Sequence, residues 1–178
     1  YTAMNVFNRL VKTTASTELV GDLAESWEFS EDGKTLTFHL HDNVKWHDGE
    51  PFSSEDVKWT LDMIRTEGFQ SNSFKMIEEI TCPDANTVVI QMSAPSAAIL
   101  SSLGWLGTFI LPKHIYENTD WATNEANMHP IGTGPFKFES YEKSQTITLV
   151  PNEDYFKGAP YLDKLIFTII PDANTAYQ

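Results

Sequence analysis

Apolar and polar residues alternate over Thr35-Leu36-Thr37-Phe38-His39-Leu40. A period of two puts Leu36, Phe38 and Leu40 on one face and predicts a half-buried strand. Leu23 to Phe29 is its partner. The intervening Ser30-Glu31-Asp32-Gly33-Lys34 has the Asp-Gly pair that tight turns favour, so a hairpin is expected. Asp48-Gly49-Glu50-Pro51 is a second turn. After it the spacing changes: Val57, Leu61 and Ile64 recur at helical intervals, with Thr60 beside them. Ser53 suits the N-cap, and Asp56 lies near the positive end of the dipole. That helix should run to about Thr66 and stop before Gly68.

Ile80 to Cys82 and Thr87 to Met92 flank Pro83-Asp84-Ala85-Asn86, a second hairpin with Val88-Val89-Ile90 as its β-branched centre. Ser96 to Leu103 predicts a short helix after Pro95. Phe109-Ile110-Leu111 is a short apolar run, and Pro112 opens a helical turn. Gly132-Thr133-Gly134-Pro135 interrupts the chain, and strands are expected over Phe136 to Tyr141, Gln145 to Val150 and Leu165 to Ile170. The apolar segment Val6 to Val11 fits either a helix or a strand. Asp172 is placed to start a helix that the last residues leave unfinished. The fold class is therefore α+β (mixed α/β).

The 178 residues carry 12 Lys and Arg against 25 Asp and Glu, a formal net charge of -13. That balance repels a phosphate backbone, so no nucleic-acid partner is expected. With 41% hydrophobic and 12% aromatic residues, the chain can build a packed core. Cys82 is the one cysteine, which excludes an internal disulfide and a cysteine zinc cluster. No run approaches the roughly 18 apolar residues of a membrane span. A first residue of Tyr1 gives the chain the look of a processed or excised segment.

Little in the sequence calls for catalysis. His39 and His41 share a strand face, and His47 adjoins Asp48, but no third ligand is set at fixed geometry, so no metal site is assigned. Glu55-Asp56 belong to a helix's first turn, and Glu78-Glu79 point to opposite sides of a strand. There is no G-x-S-x-G motif, and no histidine close to Cys82. Gly132-Thr133-Gly134-Pro135 lacks the Lys-Ser/Thr of a phosphate loop and the third glycine of a dinucleotide fingerprint. It fits a tight connection where backbone approaches a neighbour closely. No catalytic residue and no cofactor is assigned. Among the tryptophans, Trp105 is flanked by Gly104 and Gly107, a setting that suits either core packing or the wall of a ligand cleft.

Four stretches resemble the extracellular solute-binding proteins of family 5, the dipeptide-, oligopeptide- and nickel-type binding components of ABC importers. They are Leu23 to Glu28 with Asp32 to Leu40; Val44-Lys45-Trp46-His47-Asp48-Gly49-Glu50-Pro51-Phe52 with Glu55-Asp56-Val57; Pro130 to Lys137; and Asn152 to Phe156 with the strand leading to Pro171-Asp172. Their order and spacing also fit, and together they cover nearly the whole chain.

The resemblance implies an N-terminal fragment of a two-lobed, periplasmic-binding-protein-like fold. Residues 1–21 would be the first segment of lobe 1, 22–130 the family's extra inserted domain, and 131–178 an incomplete return into the lobe 1 sheet. It implies capture of a small solute, a peptide first of all, outside the cytoplasmic membrane. Delivery would be to an ABC permease, by a monomeric protein that is periplasmic or extracellular, free or lipid-anchored. On this reading His47-Asp48-Gly49 is a structural signature. Tyr1, Thr2, Asn5, Trp105, Gly132 and Thr133 are the expected ligand-facing residues. A sensing or adhesion module reusing the same fold is the alternative, and a carboxylate-dependent hydrolase is a third class that lacks two placeable carboxylates.

Overall fold

The computed structural model describes residues 2–68 and 71–170. The elements follow the order α1 (Ala3–Val6), β1 (Val11–Thr13), β2 (Leu19–Gly21), β3 (Ala24–Phe29), β4 (Thr35–Leu40), α2 (Ser54–Glu67), β5 (Ile77–Asp84), β6 (Thr87–Met92), α3 (Ala98–Leu103), α4 (Lys113–Tyr116), β7 (Phe136–Glu142), β8 (Thr146–Pro151) and β9 (Leu165–Thr168). Single 3-10 turns occupy Ser71–Phe74 and Glu125–Met128. The predicted helix that would start at Asp172 lies outside the described residues.

The alternating pattern produces the larger sheet, antiparallel in the order β3-β4-β6-β5. Phe38 pairs with Val88 and Leu36 with Ile90, so the apolar faces of β4 and β6 coincide. All four residues are fully buried, whereas His39 on the other face of β4 is exposed. Helix α2 covers the apolar face with Val57, Leu61 and Ile64. Each such side chain contributes roughly 1.5–3 kcal/mol on leaving water. The helix begins in a capping box: the Asp56 carboxylate accepts the Ser53 backbone N–H at 2.9 Å. The turn between β5 and β6 docks on this end, with the Ser54 hydroxyl donating to the Asp84 carbonyl at 2.6 Å.

The strand β5 is longer than the apolar triplet Ile80 to Cys82 predicts. It extends back to Ile77, which pairs with Met92, and carries two irregularities of register. Strands β7, β8 and β9 form a separate antiparallel sheet. Val6, Phe136 and Leu149 form a small apolar cluster beneath it, distinct from the large cluster that runs from Leu10 to Ile110.

The segment Val6 to Val11 is neither one helix nor one strand. Helix α1 stops at Val6, and Phe7 is already extended at φ -116° and ψ 149°. The cause is tertiary: the Arg9 backbone N–H donates to Asp22 at 3.0 Å, which draws the chain into line with β2. The paired strands β1 and β2 are too short, at three residues each, to show a period.

Candidate functional site

Residues 5–9 are the meeting point of three parts of the chain. The first is the loop 132–134. Its Gly134 N–H donates to the Val6 carbonyl at 2.8 Å. A Cβ on Gly132 would collide with the Val6 carbonyl oxygen, and one on Gly134 would lie 2.5 Å from the Asn5 oxygen. Only glycine allows backbone to pack on backbone this closely. The close approach expected from Gly132-Thr133-Gly134 therefore has a definite partner, the end of α1.

His47 holds this loop from the other side. Its backbone N–H donates to the Gly132 carbonyl at 2.9 Å, and its Nδ1 accepts the Gly132 N–H at 3.2 Å. Nδ1 is thus unprotonated, and the Nε2–H donates to the Gly134 carbonyl at 2.9 Å. Burial pushes the His47 pKa down to about 4, with Lys137 adding to the effect and Gly134 and Asp48 opposing it. The ring is a neutral staple between two loops. Among the described residues no three His, Cys, Asp or Glu side chains converge as metal ligands would.

The second part is a buried polar network. Asn8 donates to Asp22 at 3.0 Å and accepts the Thr133 hydroxyl at 3.1 Å. Asp22 is 3.2 Å from the Lys12 ammonium and 3.3 Å from that of Lys157. Burial alone would raise the Asp22 pKa. The Arg9 amide, the two lysines and Asn8 outweigh it and hold the carboxylate below its usual range.

The third part is the loop that carries Trp105. The Arg9 guanidinium donates to the Gly104 carbonyl at 2.7 Å, and the Ile110 N–H donates to the Asn8 carbonyl at 3.0 Å. Arg9 also lies 5.6 Å from the centre of the Phe109 ring.

Three largely apolar cavities line up beside this hub. One of about 280 Å3 is framed by Trp105, Phe109, Leu111 and Trp121. Leu111 and Trp121 also border one of about 360 Å3 with Phe7, Tyr116 and Pro130. Pro130 and Asn127 in turn border one of about 270 Å3 with Thr2, Phe138 and Tyr141. The three cavities thus adjoin in series beside the hub, a row termed the trough.

Of the residues expected at a ligand, Thr2 lines one end of this trough and Trp105 the other. Asn5, Gly132 and Thr133 are brought together at the α1–loop contact. Thr133 is enclosed at 1% exposure, its hydroxyl engaged by Asn8. Tyr1 lies outside the described residues. Sequence reasoning missed Asn8, Asp22 and Trp121. The available signal was a polar Asn8-Arg9 pair set between Phe7 and Leu10 in an otherwise apolar run.

A polypeptide organised this way, with two larger antiparallel sheets, a two-stranded one beside the N-terminal segment and a row of adjoining cavities, has the fold of part of a solute-binding protein. Residues 18–178 match the bacterial extracellular solute-binding proteins, family 5 Middle, and the chain belongs to that family. The dipeptide-binding protein of Escherichia coli is 34% identical over 195 residues, covering 97% of this chain and 36% of the relative. The structure of the oligopeptide-binding protein AppA from Bacillus subtilis, in complex with a nonapeptide, superposes with a TM-score of 0.90 at 31% identity over 97% of this chain and 36% of that one. The structure of NikZ from Campylobacter jejuni, in complex with Ni(L-His), gives the same TM-score at 32% identity over 98% of this chain and 35% of that one. The chain spans about a third of the length of the relatives it matches. Among the described residues no helix is long and apolar enough to cross a membrane.

Proposed function

We propose that this chain is part of the substrate-binding component of an ABC importer, one that captures peptides in the periplasm or outside the cell and delivers them to a permease. The likeness to the nonapeptide complex of AppA over 97% of the chain is the observation that carries the reading. Residues 1–21 and 131–178 belong to the first lobe, and 22–130 to the inserted domain. The protein acts as a monomer, and the trough is one wall of its cleft. Thr2, Asn5 and Trp105 face the ligand. Gly132 and Thr133 act by seating the end of α1 and Asn8. A cleft gains affinity by enclosing its ligand, so binding belongs to the protein with both walls in place.

Isothermal titration of the full-length gene product against di- and tripeptides, the nickel–histidine complex and maltose tests this. Peptide binding at micromolar affinity is the expected result. Binding of nickel–histidine or maltose with none of the peptides would overturn it.

A further inference from the structure

We propose that the cavity framed by Trp105, Phe109 and Trp121 is a subsite that takes one aromatic or large aliphatic side chain of the captured peptide. This rests on the peptide-capture reading above and adds which peptides are preferred.

Size and chemistry point the same way. The cavity holds about 280 Å3, whereas an apolar cavity of about 150 Å3 is already enough for benzene. Its frame is apolar: three aromatic rings with Met63, Ile64 and Leu111, closed by Gly68 and Gly107. Trp121 turns its polar edge away, donating its indole N–H to Glu67 at 3.1 Å. A charged ligand side chain would lose its hydration against this lining. A ring gains edge-to-face contacts, and the Met63 sulfur adds another favourable neighbour.

Two of the walls, Phe109 and Trp121, are braced within the protein. Phe109 is held between Phe7, at 6.0 Å between ring centres, and the Arg9 guanidinium at 5.6 Å. The Trp121 carbonyl accepts Asn127 Nδ2 at 2.9 Å. Trp105 is 46% exposed and Leu106 48%, so a large apolar surface stands in water at the mouth. The six-membered ring of Trp105 lies against Gly107, where a Cβ would run into it. Gly107 is thereby the residue that sets where Trp105 stands. Braced walls such as Phe109 and Trp121 lose little freedom on binding, and the exposed indole of Trp105 is the surface a ligand ring would cover.

The test is isothermal titration of the full-length gene product with trialanine, with the three tripeptides that place Phe at each position in turn, and with the three that place Lys there. At least one Phe peptide should bind roughly tenfold tighter than trialanine or better, since burying a Phe side chain is worth about 1.5–3 kcal/mol. No Lys peptide should gain. Trp105→Ala and Gly107→Ala should each bring the Phe-to-Ala ratio close to one, while a far-UV circular dichroism spectrum matching that of the unaltered protein shows that both variants fold. Equal binding of all the tripeptides, or a Phe preference unchanged in both variants, overturns the subsite and leaves peptide capture standing. No binding of any tripeptide overturns peptide capture and the subsite with it.

Discussion

His47 shows how much one side chain decides here. Both ring nitrogens are spent on the backbone of Gly132 and Gly134, and the arrangement requires the neutral ring. In the unfolded chain the ring takes up a proton near pH 6.5; in the folded one it does so only at about 4. Between these values the unfolded state binds more protons, so stability rises with pH. The stabilisation is fully present above about pH 6.5, declines as pH falls towards 4 and is gone below it. The difference amounts to about 3 kcal/mol. Urea unfolding across this window should show that slope, and His47→Gln, which keeps a donor and an acceptor without titrating, should flatten it. Equal slopes in the two proteins would contradict the staple. The motif His47-Asp48-Gly49 was legible as a structural signature. Its partner was not, because Gly132 is 85 residues away and nothing local marks it. The same holds for Asn8, whose bond to Thr133 spans 125 residues.

At the scale of elements, local pattern and tertiary structure agree where the pattern is long. The hairpin β3–β4, the helix α2 and the strands β7 and β8 fall close to where periodicity, caps and turns put them. They differ where a few residues take orders from a distant contact, as at the end of α1 and in the paired strands β1 and β2. The helix α2 also shows one residue serving two elements. The Asp56 carboxylate accepts the Ser53 N–H at the start of α2 and, through its other oxygen, the Lys113 N–H at the start of α4, at 2.9 Å each. Burial raises the Asp56 pKa, and these donors oppose the rise. The first role was legible in the spacing from Ser53 to Asp56; the second depends on a loop 57 residues on. Asp56→Ala strips an acceptor from both helix starts and should cost about 2 kcal/mol in urea unfolding at neutral pH. A loss below about 0.5 kcal/mol would show that neither cap matters.

On the scale of the whole molecule, the trough and the hub at residues 5–9 belong together. Segments from the N-terminus, from the loop 104–111 and from the loop 129–134 share the same few backbone groups. The family resemblance made the class of protein legible in the sequence, through motifs such as Trp46-His47-Asp48-Gly49 and Gly132-Thr133-Gly134. The trough was not legible, because its walls come from Thr2, Trp105, Trp121 and Tyr141, which lie far apart along the chain.

Amide hydrogen exchange of the full-length gene product, with and without a peptide that titration shows to bind, tests the central claim most directly. The segments that form the trough are predicted to gain protection on binding: residues 2–7, 104–111 and 127–131. The outer hairpin β3–β4 should stay unchanged, because it lies in the sheet away from those walls. Protection confined to β3 and β4, or absent from all three trough segments, would contradict the account.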